Sequence, residues 1–272
     1  MSNQHKRLGE IVIIWIRTVW LRLLLAPVLG ISFLVVWAAV VEADVYTNLV
    51  LPSPGEVAER WYELYADGLL WRHTEVTLYE VFFGLGYGVL VAFVTGYFIA
   101  KSRIVASLLT PYLVALQAVP IVAVAPLLII WFGPETQSKV IICALLVFFP
   151  MLVNTVIGMR SIPPDLRDLL RSLQANPLET FWYLELPAAL PVVIGGLKVS
   201  ATLSVIGAVV GEFVSPNEGL GYLIATGRGN YDTPQVIATV LTLTALALLL
   251  YGLATLLEYA LLSWQRAGNN GL

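Results

Sequence analysis

Long runs without a charged residue limit the possible folds of this chain more than any other feature of its sequence. The six longest runs lie at 23–41, 81–100, 104–134, 140–159, 186–211 (interrupted only by Lys198) and 233–257. A helix needs about 20 apolar residues to cross about 30 Å of hydrocarbon, since each residue adds about 1.5 Å. The runs therefore predict an all-α, polytopic membrane protein with six transmembrane helices.

The composition agrees with a membrane protein and excludes other classes. Of 272 residues, 58% are hydrophobic and 12% charged, whereas soluble domains average about 25% charged residues. A disordered chain and an ordinary soluble enzyme are thereby excluded. The net charge of −3, with basic residues that form no patch, predicts no nucleic-acid partner. His73 has no histidine, cysteine or carboxylate at metal-ligand spacing, so we expect a surface histidine and no metal site. No cofactor is expected on this chain.

Charges that flank the runs predict the domain limits. A transmembrane domain at 23–264 lies between an N-terminal tail, 1–22, and a C-terminal tail, 265–272. The predicted spans are about 23–41, 76–100, 104–132, 139–159, 187–212 and 235–262. The third is too long for one upright helix and contains several prolines, so we interpret it as one tilted or broken helix. We place its breaks at Pro120 and Pro126; whether it counts as one span or two stays open.

Basic residues predict the orientation of the chain. With the N-terminus inside, the inner segments hold ten lysines and arginines and the outer segments hold four. Basic residues favour the cytoplasmic side of a membrane protein. Both termini and the long loop 160–186 are therefore expected in the cytoplasm. The segment 42–75 is expected outside.

The loop 160–186 carries more apolar surface than a solvated loop needs. Leucines recur at helical spacing in 165–173, which predicts an amphipathic helix. Asn176 as N-cap, Pro177 at the first helical position and Glu179 at the third predict the start of a second short helix that ends before Pro187. Two interpretations stay open: the loop packs on the protein's own helix ends, or it is a docking surface for a soluble partner.

This loop resembles the "EAA" loop of the permease subunits of ATP-binding-cassette (ABC) importers. Asp168-Leu169-Leu170 stands where that family has an acid and two alanines, and Leu186-Pro187 stands at its Leu-Pro. The family glycine is replaced by Gln174, which adopts a positive φ poorly, so we expect the turn to use Asn176 or a different geometry. The resemblance implies an ATPase-coupling site formed by Asp168, Leu169, Leu170, Leu173, Gln174, Ala175, Asn176, Pro177, Glu179, Leu186 and Pro187.

Further motifs resemble the nitrate/sulfonate/taurine branch of these permeases. They are Leu51-Pro52-Ser53-Pro54 after the first span, the proline-rich stretch 117–126, Phe148-Phe149-Pro150 with Asn154, and the outer stretch 219–224. At the first of them, Ser53 is predicted to cap an amphipathic helix that has Glu56 at its third position. Together the motifs imply the type I ABC importer permease fold.

The resemblance also implies function and partners. The chain has no G-x-x-x-x-G-K-[ST] phosphate loop, so ATP is expected on a separate dimer of ATPase subunits. Further expected partners are an extracytoplasmic substrate-binding protein and a second permease copy, in the inner membrane. Small residues at 84–96 are expected to allow close helix contact in that dimer. The alternative, an ion-coupled secondary transporter, needs intramembrane acids or repeated broken helices, whereas this chain has one broken span and one deep lysine.

Residues within the predicted spans suggest the substrate pathway, and a resemblance to known permeases suggests the substrate. We expect Gln117, Pro120, Pro126, Asn154 and Lys198 to form the substrate pathway, although Lys198 could instead extend to the membrane surface. Other acids near span ends (Glu80, Glu212 and Glu258) are expected to be solvated. The stretch from Gln117 to Val122 resembles permeases for vitamin precursors, such as riboflavin or the thiamine pyrimidine. A sulfonate, taurine or nitrate importer is the alternative.

Overall fold

The fold is known from a computed structural model that describes residues 27–44, 46–47 and 49–263. Its helices are α1 (Pro27–Glu42), α2 (Pro54–Ala66), α3 (Leu69–Lys101), α4 (Arg103–Gln117), α5 (Ile121–Phe132), α6 (Thr136–Arg160), α7 (Pro164–Ser172), α8 (Pro177–Thr180), α9 (Leu186–Val214), α10 (Leu220–Gly229) and α11 (Thr233–Leu261). A π-helical turn, Phe181–Glu185, joins α8 to α9. No strand occurs in the described ranges, and the predicted all-α class is confirmed.

Most of the predicted spans correspond to helices of membrane-crossing length. Helices α3, α6 and α11 are long and apolar enough to cross a bilayer, and so is the continuous helix Pro177–Val214. Helices α4 and α5 are long and apolar enough only as a pair, and because the pair is bent by 89° it forms either a broken fifth span or a re-entrant loop. The first predicted span corresponds to α1, which begins at the first described residue and is shorter.

The third span breaks at only one of the two predicted prolines. Pro120 is extended and precedes α5, so the break there is confirmed. Pro126 lies inside α5, which continues to Phe132, and the break predicted there is wrong. An internal proline can remain in a membrane helix where neighbouring groups satisfy the freed carbonyl.

Glycines bring α3 and α9 into close contact with α6. A Cβ atom built on Gly88 would lie 2.7 Å from the carbonyl oxygen of Ala144, and one on Gly207 would lie 2.7 Å from Cys143 Cα. Gly84 and Gly96 of α3 meet α6 in the same way. The small residues of α3 are therefore used within one chain. The expectation that they form a dimer contact is not supported by this packing.

Gly88→Ala is expected to destabilise the bundle by about 1–3 kcal/mol, because the added methyl group overpacks a contact with backbone. Gly86→Ala is the matched control on the same helix, since a Cβ atom there meets nothing within 4 Å. Thermal unfolding of the two purified variants in detergent measures the difference. Equal unfolding midpoints would contradict the close α3–α6 packing.

At one end of the bundle, α2 begins with the predicted cap and lies against α11. The Ser53 hydroxyl accepts from the backbone N–H of Glu56, whose carboxylate accepts from the Ser53 N–H at 2.7 Å. Arg60 then pairs with Asp232 at 2.8 Å, just before α11. A hydrogen bond from Arg60 to Glu63, together with the charge of Asp232, raises the pKa of the guanidinium above its ordinary value. The predicted amphipathic helix is confirmed.

A buried ionic cluster lies near this end of α3, α6 and α9; we call Glu80, Lys139 and Glu212 the outer ionic cluster. Glu80 and Glu212 have no exposed surface, and Lys139 is 3% exposed, so the expected solvation of these acids is wrong. Lys139 Nζ lies 3.2 Å from Glu80 Oε1, and Thr77 Oγ1 donates to Glu212 at 2.6 Å.

The outer ionic cluster is buried because the N-terminal end of α10 folds over it. The backbone N–H of Gly221 donates to Glu212, and that of Leu220 donates to Thr77 Oγ1 at 2.8 Å. The Gly219 N–H donates to His73 Nδ1 at 3.0 Å. His73 is thus buried, and its expected surface position is wrong, because its ring satisfies a loop amide.

Candidate functional site

The predicted coupling loop forms an exposed surface at one end of the bundle. Helix α7 has no buried residue. Large apolar side chains of this region are more than 40% exposed, namely Leu166, Leu169, Leu173, Leu178, Trp182 and Tyr183. Only part of the loop packs on the protein itself, chiefly Ile162 and the ring of Phe181, whose centroid lies 5.3 Å from that of Tyr97. Residues 164–179 are named the coupling surface below.

The turn in the coupling surface has the conformation that a glycine would favour. Gln174 has a φ of +55°, so the expectation that glutamine avoids this conformation is wrong. The Gln174 N–H donates to Arg171 O, and the Ala175 N–H donates to Leu170 O. These two bonds form a Schellman motif, which satisfies the last carbonyls of α7. They offset a left-handed conformation that costs roughly 1–2 kcal/mol for a residue with a Cβ atom.

Asn176 begins the next helix as predicted, but the helix does not end before Pro187. Its side chain accepts from the Glu179 N–H at 2.8 Å, and the Glu179 carboxylate accepts from the Asn176 N–H at 2.8 Å. The chain then continues without interruption into α9. Pro187 lacks an N–H, and the wider π-helical turn before it, where Leu186 N–H donates to Phe181 O, accommodates the proline ring.

The remaining predicted coupling residues fall into two groups, one at the Gln174 turn and one at the start of α9. Asp168 is exposed and only weakly paired, at 3.4 Å from Arg171. Ala175 is half-buried within the turn. Leu186 and Pro187 lie half-buried in the first turn of α9, at the far side of the π-helical turn. The structure thus brings 168–179 together and separates the Leu-Pro pair from them.

A second group of interacting side chains, which the sequence did not predict, lies next to the coupling surface. We call it the inner ionic cluster; it consists of Tyr97, Lys101, Arg167 and Glu185. Lys101 Nζ lies 2.7 and 2.8 Å from the two carboxylate oxygens of Glu185. The Tyr97 hydroxyl donates to the same carboxylate at 3.1 Å. The one sequence signal for this cluster is the lone acid Glu185 within an aromatic and apolar stretch.

Two of the predicted pathway residues, Gln117 and Asn154, line the same apolar groove. The groove has a volume of about 610 Å³. It is lined by Leu116, Gln117, Val119, Ile121, Val124, Leu145, Leu146, Phe149, Pro150, Val153, Asn154 and Leu203. Gln117 is exposed, and the Asn154 amide donates to Pro150 O at 2.8 Å. The bend between α4 and α5 opens this groove against α6.

The other three predicted pathway residues do not line the groove. Pro120 sets the bend beside it, and Pro126 lies further along α5. Lys198 of α9 instead pairs with Glu258 of α11 at 2.5 Å and lies over the ring of Tyr251. Glu258 is therefore paired rather than simply solvated. The lysine is satisfied between two helices of its own chain.

The matches to known proteins agree with these features. The family model for the "binding-protein-dependent transport system inner membrane component" matches residues 88–262. The chain belongs to this family. It is an inner-membrane permease subunit of an ABC importer, a transport component and not an enzyme, and the alternative of an ion-coupled secondary transporter is set aside. Membership also implies an ATPase and a substrate-binding protein as partners.

The chain is similar in sequence to permeases of several different transport systems. The riboflavin transport system permease protein RibX of Chloroflexus aurantiacus is 44% identical, over 88% of this chain and 89% of that protein. The formylaminopyrimidine transport permease protein ThiX of Halalkalibacterium halodurans is 34% identical, over 80% and 86%. A putative aliphatic sulfonates transport permease protein, SsuC of Bacillus subtilis, is 31% identical, over 91% and 89%.

A solved structure shares the fold of this permease. In the MetNI methionine ABC transporter, one chain superposes with a TM-score of 0.56 at 18% identity. The match covers 71% of this chain and 94% of that chain. The predicted ABC importer permease fold is confirmed by this likeness together with the family.

Proposed function

We propose that this permease transports an uncharged heterocycle, such as riboflavin or a thiamine-type pyrimidine. The carrying observation is the groove, in which the amides of Gln117 and Asn154 lie among apolar side chains and Phe149. Among the described residues, no charged side chain lines it. A flat ring with amide-like groups can hydrogen-bond to these amides and pack on the phenyl ring. Relatives named for riboflavin and formylaminopyrimidine support the same substrate class.

A sulfonate or taurine is the second candidate, because SsuC relatives are also similar. An anion in this groove would lose most of its hydration without meeting a cation among the lining residues. Burial of an unpaired charge is costly. The groove therefore favours the neutral substrate.

We infer that two copies of the permease face each other to enclose the pathway. The groove is open along one side in a single chain, and Gln117 beside it is exposed. A pathway for a polar solute needs walls on all sides, because lipid would otherwise enter it. A second groove from an identical copy supplies the missing wall and doubles the polar groups.

We propose that the coupling surface binds the ATPase and that this surface and both termini are cytoplasmic. Leu166, Leu169, Leu173 and Leu178 of this surface are exposed, and nothing in the described part of the chain covers them. We propose that the contact is made by those predicted coupling residues that lie between 168 and 179. The opposite end of the bundle, formed by α2 and α10, is proposed to receive the substrate-binding protein.

Uptake into proteoliposomes that contain the permease, its ATPase and its binding protein tests the substrate. Radiolabelled riboflavin or hydroxymethylpyrimidine is expected to accumulate inside the proteoliposomes when ATP is supplied. Radiolabelled taurine is not expected to accumulate. Gln117→Leu is expected to lower the rate about two- to ten-fold, the effect of losing one net hydrogen bond of about 0.5–1.5 kcal/mol. Asn154→Ala is expected to act in the same direction.

Val122→Leu is the matched control, because Val122 lies on α5 and is exposed but does not line the groove. Uptake of taurine and neither heterocycle would overturn the proposed substrate class. Normal heterocycle uptake by both groove variants would remove Gln117 and Asn154 from the pathway.

A further inference from the structure

Helix α7 is attached to the rest of the molecule by very few side chains. None of its residues is buried. Within the described ranges, Arg167 makes the only side-chain hydrogen bond from α7 to another helix, from Nη2 to the carbonyl oxygen of Met159 in α6 at 2.8 Å. Besides the two chain connections of α7 and the packing of the half-buried Leu170, Arg167 is therefore the polar side chain through which force on α7 can reach the spans.

Arg167 points toward Glu185, which is fixed to α3. The Glu185 side chain is 3% exposed. Lys101 Nζ contacts both of its oxygens, and the Tyr97 hydroxyl donates to one of them. The Tyr97 ring is itself held edge-on against Phe181. A charged hydrogen-bond network of this kind resists deformation more than apolar contacts do, because its geometry is directional.

The π-helical turn places Glu185 at this position. One residue more in the turn changes the helical register by about 100°. Without the wider turn, the side chain at 185 would leave the side of the helix that faces Lys101 and Tyr97. π-helical turns within α-helices often occur at functional sites.

The link from α7 to Glu185 is open in this conformation. Arg167 Nε lies 3.8 Å from Glu185 Oε1, which is beyond hydrogen-bond length, and it has no hydrogen-bond partner in the described structure. A cavity of about 190 Å³ adjoins the contact and is lined by Lys101, Arg167, Arg171 and Glu185, among others. A movement of α7 by about 1 Å toward α3 would bring the two groups to hydrogen-bond distance.

We propose that Glu185 is a positioning residue for coupling: movement of α7 closes Arg167 onto Glu185, and the inner ionic cluster passes that movement to α3 and α9. This proposal rests on the coupling surface proposed above. It assigns to Glu185 no contact with ATP or with the transported molecule. The carboxylate acts by connecting α7, through Arg167, to Lys101 and Tyr97 of α3 and to the helix that continues into α9.

Glu185→Gln tests this role, because it keeps the size of the side chain and removes its charge. Substrate transported per ATP hydrolysed is measured in proteoliposomes with the full complex. A coupling free energy between sites typically corresponds to about 5- to 150-fold, and we expect the ratio to fall at least about five-fold. ATPase co-purification is expected to stay at the wild-type level. Glu185→Asp is expected to restore part of the ratio.

Lys101→Met is the second variant, because Lys101 is more exposed and its loss is better tolerated than a change at Glu185. Its effect and that of Glu185→Gln are expected to be non-additive in the double variant, as for two members of one network. Glu63→Gln, an exposed acid paired within α2, controls for loss of one charge. If Glu185→Gln or, where that variant does not fold, Lys101→Met keeps the wild-type ratio, the proposal is wrong. Retention of the ATPase by Ala175→Trp would instead contradict the coupling surface itself.

Discussion

Ala175→Trp is expected to release the ATPase from the permease while leaving the bundle intact. Ala175 is half-buried in the Schellman turn, and its N–H is bonded to Leu170 O. An indole there projects from the turn and separates the docked surfaces. Overpacking costs about 1–3 kcal/mol, which at an interface is roughly a 5- to 150-fold loss of affinity. Transport is lost as a consequence.

Native mass spectrometry of the purified complex measures this outcome. The wild type is expected to contain two permeases and two ATPases, and Ala175→Trp two permeases alone. Ala43→Trp introduces the same side chain at an exposed alanine near the end of α1 and is the matched control. A variant that retains both ATPases would contradict the coupling surface, and a single permease in the wild-type complex would contradict the homodimer.

Lys139→Met is expected to destabilise the bundle by about 3–5 kcal/mol, because it leaves buried carboxylates without their cation. Lys139 Nζ is the ammonium of the outer ionic cluster and also donates to the carbonyl oxygen of Glu218 at 3.1 Å. Without the lysine, the two acids of the cluster have no positive charge between them. The thermal midpoint of the purified permease in detergent measures the loss.

Arg72→Met is the matched control at the same end of the molecule. Arg72 pairs with Glu218, and both side chains are largely exposed, so its loss is expected to cost no more than about 1 kcal/mol. Adding Glu80→Gln to Lys139→Met is expected to recover part of the stability, since it removes one unpaired charge. Equal midpoints for Lys139→Met and Arg72→Met would contradict the buried cluster.

The sequence predicts those features of the permease that arise from local chemistry. The capping boxes at Ser53 and Asn176 form as expected because each depends on residues only three positions apart. The break at Pro120 likewise follows from the missing N–H of proline. Helix positions follow from runs of apolar residues, which bilayer thickness makes easy to recognise.

Features that depend on tertiary contacts were not predicted. Glu80 and Glu212 look like solvated acids near span ends, since nothing local shows that the N-terminal end of α10 folds over them. Lys198 looks like a pathway residue until Glu258, 60 positions further on, is placed beside it. Gln174 shows that two backbone hydrogen bonds can impose a conformation that residue preference alone disfavours.

The continuous helix Pro177–Val214 joins the coupling surface to the wall of the groove, so a tilt of this helix moves both. Glu185 and Leu203 are 18 residues apart (203 − 185) on this helix, which corresponds to about 27 Å at about 1.5 Å per residue. A tilt of about 10° around the inner ionic cluster would move the groove wall by about 5 Å over that length. If the ATPase binds the coupling surface as proposed, small movements there become displacements of the groove wall as large as the width of an aromatic ring.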